Sequence, residues 1–216
     1  MSTQKDIVNI VKRLNQLNLN HAATGNVSVR KGAEFLITPS GTVADNINEK
    51  LIISCDLTIT EQEVKRLNPA PSSEWHFHQA IYHKRPDINA IIHTHSVYAS
   101  AVSVLREKIP PFHYMIAMFG GNEILCADYA LFGTKNLSKN IITSLGDRYA
   151  VLLSNHGSIV VGKDLQHAFY LIQELEHLAH QFIELKKIGK LKLLSMKEMK
   201  EVHIQFSNYG PQLKKR

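Results

Sequence analysis

The sequence predicts a layered α/β domain in which helices flank a central, largely antiparallel sheet. Helical segments alternate irregularly with many short strand-like stretches, which does not fit the strict strand–helix–strand repeat of a parallel sheet. The stretches 26–30 and 34–38 are separated by a short polar segment around Gly32, which is typical of an antiparallel hairpin. No repeat or flexible linker divides the 216 residues, so we expect one domain over 1–216.

The first half of the chain is predicted element by element from apolar spacing and from turn residues. Ile7, Ile10 and Leu14 recur at helical intervals, which indicates an opening amphipathic helix. A serine after Pro71 can cap a second helix, and Pro86 ends it. The predicted elements of this half are a helix at 6–17, strands at 26–30, 34–38 and 51–54, and a helix from Ser72 or Ser73 to 85.

The second half is predicted in the same way. Its strands are short apolar runs, and its last helix has leucines and a phenylalanine at helical spacing. The predicted elements are a strand at 88–95, a helix at 97–105, a strand at 113–118, a helix at 134–146, strands at 150–153 and 158–161, and a helix at 164–187.

Composition excludes several classes of protein. Apolar residues make up 44% and charged residues 20%, as in ordinary globular chains. The net charge is +6, but much of the basic excess lies in the last third without interleaved aromatic residues, so we expect no nucleic-acid partner. No apolar run approaches the roughly 18 residues that span a bilayer, so we expect no membrane association. Only Cys55 and Cys126 occur and no signal peptide precedes them, which favours a cytoplasmic location.

Histidine is unusually frequent, with 12 in the chain, and one pair has a spacing suited to metal binding. His93 and His95 occupy alternate positions at the polar end of an apolar strand, so both imidazoles point to the same face. A catalytic zinc ion normally needs three protein ligands, and His156 is the best third candidate because it lies between two apolar runs beside Gly157. Alternatively, all three are polar residues at strand ends and turns.

Glu74 is a candidate fourth group. A carboxylate in the first helical turn is favoured by the helix dipole whatever its function, but it could also bind metal or move a proton. The remaining helical histidines are expected to be structural: His76, His78, His83, His167, His177 and His180.

Small polar residues beside glycine suggest a site for a phosphate group. The stretches 24–26 and 38–41 and the pair Ser72-Ser73 could together offer hydroxyl, amide and backbone donors to one phosphate, and the serine pair lies at a helix N-terminus. Neither GxxxxGK[ST] nor GxGxxG occurs, so we expect a substrate with a single phosphate rather than a nucleotide.

Nine short motifs run in order across nearly the whole chain. They are Gly-Asn-Val-Ser-Val-Arg (25–30), Ile-Thr-Pro-Ser-Gly (37–41), Pro-Ser-Ser-Glu-Trp (71–75), Arg-Pro-Asp (85–87), His-Thr-His (93–95), Ile-Pro (109–110), His-Tyr-Met (113–115), Phe-Gly-Thr (132–134) and Asn-His-Gly (155–157). In these motifs the chain resembles the class II aldolase/adducin family, in particular its fuculose-phosphate branch.

The resemblance implies a zinc-dependent aldolase that cleaves a ketose 1-phosphate, such as L-fuculose 1-phosphate, to dihydroxyacetone phosphate and a small aldehyde such as lactaldehyde. It implies one zinc ion per subunit and a homotetramer with active sites at subunit interfaces. Zinc would be held by His93, His95, His156 and Glu74. Glu74 would also act as base.

The resemblance also implies roles in substrate binding. The phosphate would be bound by Asn26, Ser40, Gly41, Ser72 and Ser73. Phe132 would shape the aldehyde pocket, and Tyr114 would act on the aldehyde oxygen in a neighbouring subunit. Tyr209 would lie on a mobile tail, from about residue 205, that closes over the site.

Two departures leave alternatives open. Asn155 stands where the branch usually has a second histidine, and the 42–48 region looks unlike the family. A sugar-acid phosphate decarboxylase, an epimerase or a dehydratase on the same scaffold therefore remains possible, as do a zinc hydrolase and a non-catalytic adducin-like module.

Overall fold

The computed structural model describes residues 3–207. Its strands are β1 (Asn26–Lys31), β2 (Glu34–Ile37), β3 (Ile53–Asp56), β4 (Ala90–Thr94), β5 (Leu125–Ala127), β6 (Ala150–Leu153) and β7 (Gly157–Gly162). Its α-helices are α1 (Thr3–Gln16), α2 (Glu61–Val64), α3 (Trp75–Lys84), α4 (Val97–Leu105), α5 (Lys135–Leu145), α6 (Leu165–Ile188) and α7 (Met196–Ser207).

The strands form one seven-stranded sheet in the order β3-β2-β1-β4-β7-β6-β5. Every neighbouring pair is antiparallel except β5 and β6, which run parallel at one edge. Strand β4 therefore lies at the centre, hydrogen-bonded to β1 on one side and β7 on the other. This arrangement confirms the predicted fold class, an α/β layer structure around a largely antiparallel sheet.

Helices cover both faces of the sheet because the central strands are apolar on both sides. On β4, Ile92 belongs to the core packed against α1, α4 and α6, whereas Ile91 belongs to the core packed against α3 and α5. Both isoleucines are fully buried, and burial of such a side chain contributes about 1.5–3 kcal/mol. The same alternation places His93, two residues after Ile91, on the α3 side, where its ring makes an edge contact with that of Phe77.

The prediction of a strand at 113–118 is wrong, because Tyr114–Phe119 form a 3-10 helix. The His113 ring accepts a hydrogen bond from the backbone N–H of Met115, and the His113 carbonyl accepts one from Ile116, so the turn is closed locally. Gly120 ends the helix with φ +76°. The apolar run here reflects packing of a turn against the core rather than strand alternation.

Other differences concern short or peripheral elements. Residues 49–51 form a 3-10 turn and β3 begins at Ile53, and the patterns did not predict α2, β5 or α7. Helix α7 continues through Ser207, and the rest of the predicted tail, including Tyr209, lies outside the described residues. Between residues 3 and 207, no helix is both long enough and apolar enough to cross a bilayer.

Candidate metal and substrate site

Three imidazoles converge at one end of the central strands. Nε2 of His93 lies 2.9 Å from Nε2 of His95. The His156 ring stands 4.8 Å from that of His93 and 4.7 Å from that of His95, centroid to centroid. One nitrogen from each ring can be chosen so that all lie within 4.8 Å of one another. The predicted convergence of these three residues is therefore present in the structure.

Strand pairing brings His156 to the other two. Strands β4 and β7 are antiparallel neighbours with Thr94 opposite Ser158, so the turn before β7 lies beside the end of β4. Asn155 takes a left-handed conformation with φ +55°, which reverses the chain. A β-carbon on Gly157 would stand 2.3 Å from the Thr94 carbonyl oxygen, so only glycine allows this approach.

Glu74 adds a carboxylate to the cluster. It lies at the N-terminus of α3, which packs across the face of the sheet where His93 points. Its Oε2 is 3.1 Å from Nε2 of His93, and its Oε1 is 3.4 Å from Nε2 of His156. Glu74 is buried, and among the described residues Oε1 has no hydrogen-bond partner.

Protonation follows from burial and from the close charges. Burial opposes ionisation of Glu74, but nearby His93 and His156 outweigh it and hold the carboxyl pKa far below its ordinary value. Burial lowers the pKa of His95 to about 3 and that of His156 to about 4. Burial also acts against charge on His93, but Glu74 prevails and raises its pKa. His95 and His156 are therefore neutral imidazoles beside the Glu74 carboxylate, and that carboxylate favours a positive charge next to His93.

These residues fit a divalent metal. His93 donates from Nδ1 to the Ser158 carbonyl, 2.9 Å away, which in the neutral ring leaves Nε2 free to bind an ion and fixes the ring's direction. The three imidazole nitrogens lie within 4.8 Å of one another, and Oε1 of Glu74, which has no hydrogen-bond partner among residues 3–207, lies 3.4 Å from Nε2 of His156. Nitrogen-rich donor sets of this kind favour zinc and related transition ions over magnesium or calcium.

A cavity of about 370 Å³ opens beside this cluster. The predicted substrate residues Asn26, Ser40, Gly41, Ser72, Ser73 and Phe132 all line it. His95, His156 and Glu74 also reach its surface. The lining comprises small polar loops, which we call the polar rim (23–26, 39–41 and 72–73), together with Tyr129, Ala130, Phe132 and Asn155. Contact of these residues with a substrate remains a prediction.

The polar rim is assembled from segments distant in sequence. Pro39 and Pro71 form an isolated antiparallel bridge, which places Ser40 and Gly41 next to the Ser72-Ser73 pair. Ser72 Oγ accepts hydrogen bonds from the Asn26 amide nitrogen at 3.0 Å and from the Glu74 backbone N–H at 3.3 Å. Gly41 has φ +67°, and open space surrounds the position that a β-carbon would occupy.

Of the two predicted tyrosines, the structure describes only Tyr114. Tyr114 is half exposed on the 3-10 helix, where its ring stacks on Phe206 with 6.2 Å between centroids. It does not line the cavity of its own chain. Tyr209 lies outside the described residues.

Sequence reasoning missed Tyr129, which lines the cavity in an exposed position. It assigned no role to Asn155, which also lines the cavity and accepts a hydrogen bond from Arg106 at 2.8 Å. It also treated His78 only as structural, although this ring lies directly behind Asn26. The interval from Glu74 to His78 could have signalled that these residues share one side of α3.

This fold, with a histidine–carboxylate cluster beside a cavity, agrees with a lyase of the class II aldolase type. The family model "Class II Aldolase and Adducin N-terminal domain" matches residues 5–183, and the chain belongs to that family. The family is metal-dependent, in agreement with a cluster that could hold an ion.

Individual members of the family are similar to this chain over nearly its whole length. The chain is 41% identical to L-fuculose phosphate aldolase of Escherichia coli over 95% of its length and 94% of the relative. It is 38% identical to 5-methylthioribulose-1-phosphate/5-deoxyribulose-1-phosphate aldolase of Rhodospirillum rubrum, over 94% and 90% of the two chains. A solved L-fuculose 1-phosphate aldolase superposes with a TM-score of 0.87 and 34% identity, over 96% of this chain and 98% of that one. The protein is therefore an enzyme, an aldehyde-lyase.

Proposed function

We propose that this protein is a zinc-dependent aldolase that reversibly cleaves a ketose 1-phosphate to dihydroxyacetone phosphate and a small aldehyde. The observation that carries the proposal is the convergence of His93, His95, His156 and Glu74 at a cavity whose adjacent rim consists of small polar residues. The relatives named above act on phosphorylated ketoses, which supports the same substrate class here.

The metal would be held by the three imidazoles and, before substrate enters, by Glu74. When bound, it would act as a Lewis acid on the ketone and stabilise the negative charge that develops as the carbon–carbon bond breaks. Neutral ligands suit this chemistry because they leave the charge of the ion uncompensated. The depressed pKa values of His95 and His156 keep these ligands neutral.

The chain's own residues would move two protons. In cleavage, the hydroxyl on the fourth carbon loses its proton, that carbon becomes the aldehyde, and the bond to the third carbon breaks. A proton is then added to the third carbon to give dihydroxyacetone phosphate. For the second transfer our candidate is Glu74: as a carboxylate it would accept the proton from the third carbon in the reverse, condensation direction, and in cleavage it would return one proton for each that the fourth-carbon hydroxyl releases. Its Oε1, buried at the cluster without a hydrogen-bond partner among residues 3–207, supports this role. Tyr114 is our candidate for the first transfer.

The polar rim would bind the phosphate. Asn26, Ser40, Gly41, Ser72 and Ser73 lie together beside the N-terminus of α3, where the helix dipole favours an anion. Binding the phosphate there fixes the ketone relative to the metal, and orientation of this kind lowers the barrier without contact at the reacting bond. Phe132, which lines the same cavity, would shape the pocket for the aldehyde.

We propose further that the enzyme is a homotetramer whose sites are completed by a neighbouring subunit. Tyr114 supports this because it is half exposed and absent from its own cavity. Tyr209 is proposed to close over the site on the C-terminal tail. A cytoplasmic location, expected from the cysteine content, stays a prediction.

A second candidate substrate is a 5-deoxy or 5-methylthio pentulose 1-phosphate. The Rhodospirillum rubrum relative is named for both, and its identity to this chain is nearly that of the fuculose-phosphate relative. The reaction and the first product would be the same, and only the aldehyde would differ. Such differences in a pocket change binding by about 1–3 kcal/mol, so both substrates belong in one assay.

The test is a substrate panel with zinc content measured in parallel. Purified protein is incubated with L-fuculose 1-phosphate, 5-deoxyribulose 1-phosphate, 5-methylthioribulose 1-phosphate and sugar-acid phosphates. We expect dihydroxyacetone phosphate from at least one ketose 1-phosphate, in proportion to bound zinc. Carbon dioxide from a sugar acid, an epimerised or dehydrated sugar, or phosphate release alone would overturn the proposal in favour of the corresponding chemistry.

A further inference from the structure

A chain of buried hydrogen bonds runs from Glu74 into the protein interior. The Asn26 amide nitrogen donates to Glu74 Oε2 at 2.9 Å, and Asn26 Oδ1 lies 2.6 Å from Nε2 of His78. On the other side of the ring, Nδ1 of His78 is 2.7 Å from the Ser28 hydroxyl, which is 2.8 Å from the Tyr82 hydroxyl. His78 and Ser28 are completely buried, and the other three are less than one-tenth exposed.

The donors in this chain all point toward Glu74. The amide nitrogen of Asn26 faces two acceptors, Ser72 Oγ and Glu74 Oε2, so its oxygen must face His78. An amide oxygen only accepts, so Nε2 of His78 carries the hydrogen. Complete burial lowers the pKa of His78 to about 3, so the ring is neutral and its Nδ1 accepts from Ser28.

We propose that His78 is a positioning residue that fixes the orientation of the Asn26 amide, and through it the carboxylate of Glu74. This inference rests on the proposed function for its effect on turnover, although the orientation itself follows from the hydrogen bonds. His78 does not line the cavity. Between described residues its ring bonds to Ser28 and Asn26 and to none of the three histidines proposed to bind the metal.

The orientation matters because the two ends of an amide have opposite polarity. Turned by half a rotation, Asn26 would direct its oxygen at the ionised Glu74 and at the polar rim, where we expect a phosphate. Both contacts would change from attractive to repulsive. In that state the Nε2–H of His78 would face the amide NH2 group, so that two donors would oppose each other. His78 therefore disfavours the turned amide.

The main test compares His78→Phe with His78→Gln. Phenylalanine keeps a ring of similar shape but donates nothing to Asn26, whereas glutamine can place an N–H near the position of Nε2. We expect His78→Phe to lower both zinc affinity and kcat/KM by about 10- to 100-fold, the usual cost of losing a partner that orients a ligand. We expect His78→Gln to retain most of both. If His78→Phe does not fold, His78→Asn takes its place, because its shorter amide does not reach Asn26.

A double-mutant cycle shows whether His78 acts through Asn26. In an Asn26→Ala background the difference between the phenylalanine and glutamine variants should shrink to about twofold or less, because the amide to be oriented is gone. Tyr82→Phe is the matched control: it removes one buried hydrogen bond of the same chain, yet Ser28 can still donate to His78. It should lower thermal stability and leave zinc affinity unchanged.

Zinc affinity, measured by competition with a chromophoric chelator, tests the role of His78 independently of the proposed aldolase function. Equal zinc affinity and equal kcat/KM in the folded glutamine and phenylalanine (or asparagine) variants would overturn the role of His78. An undiminished difference in the Asn26→Ala background would overturn action through Asn26. Absence of any cleavage by the unmodified protein would reject the proposed function instead, while the zinc measurements would still decide this inference.

Discussion

Gly157 stands so close to Thr94 that a β-carbon would lie 2.3 Å from the Thr94 carbonyl oxygen. This contact joins the turn bearing His156 to the strand end bearing His93 and His95, and so fixes the spacing of the three imidazoles.

Gly157→Ala should therefore displace the turn and weaken metal binding and stability together. Forcing an extra carbon into packed backbone costs about 1–3 kcal/mol, which we expect in the free energy of unfolding measured with urea. Gly121→Ala is the control, because a β-carbon there meets only the flexible Arg148 side chain. Full zinc content in Gly157→Ala would show that this contact does not determine the geometry on which metal binding depends.

His95→Ala should abolish zinc retention and activity in parallel. A catalytic zinc site depends on about three protein ligands besides its exchangeable position, so loss of one imidazole should leave the ion weakly held, and zinc measured by atomic emission after dialysis should fall well below one per subunit. His177→Ala provides the comparison, since that histidine bonds only to Gln181 on the surface of α6 among the hydrogen bonds of residues 3–207. A full complement of zinc in His95→Ala would remove this residue from the ligand set.

Ser73→Ala should weaken binding of the phosphate without changing the chemical step. Loss of a hydrogen bond to a charged group costs about 1.5–3 kcal/mol, so we expect KM to rise about ten- to a hundredfold at nearly constant kcat. The unphosphorylated sugar serves as control, since its slow cleavage should be unaffected. Equal effects on both sugars would contradict a phosphate role.

Tyr114 can be tested by mixing subunits. Tyr114→Phe and Glu74→Gln should each lose most activity, by about 10²–10⁴-fold for a group that transfers a proton. Tetramers refolded from an equal mixture should recover about a quarter of the unmodified rate, because some interfaces then pair an intact Glu74 with an intact Tyr114. Mixtures that stay as inactive as their parents would place Tyr114 outside the neighbouring site.

His78 should also leave a signature in the acid sensitivity of the metal-free protein. Its folded pKa, about 3, lies below the value of 6.5 it has when exposed, so the unfolded chain binds the extra proton. The stability that comes from keeping His78 neutral is complete above pH 6.5, and it is lost as the pH falls from 6.5 to about 3, because protons then bind preferentially to the unfolded chain. His78→Gln removes this contribution, so its stability should depend on pH less steeply, by about 1.4 kcal/mol per pH unit near pH 5. Parallel curves for the two proteins would show that His78 is protonated alike in both states.

The central sheet and the convergence of the three histidines were predictable because local patterns specify them. Alternation along β4 puts His93 and His95 on one face, and the apolar runs on either side of His156 indicate adjacent strands. The 3-10 helix at Tyr114 was not predictable from periodicity, since its hydrogen bonds to His113 depend on a turn that mimics strand alternation.

Long-range contacts account for the rest. Nothing in the local sequence of Asn26 shows that its amide joins Glu74 to His78, because the three residues meet only when α3 packs on β1 and β4. Tyr129 likewise enters the cavity through a loop whose course depends on β5 at the sheet edge.

The four groups of the cluster come from β4 and the residue after it, from the turn before β7 and from the start of α3, so an ion held there would link three parts of the chain that are distant in sequence. Any ligand bound solely by the native state adds stability with its free concentration, by about 2.7 kcal/mol at a hundred times its dissociation constant. In a cell with little of the metal, the protein would then be not only inactive but also less stable, and so more susceptible to proteases. The free concentration of the ion would in this way affect the lifetime of the protein.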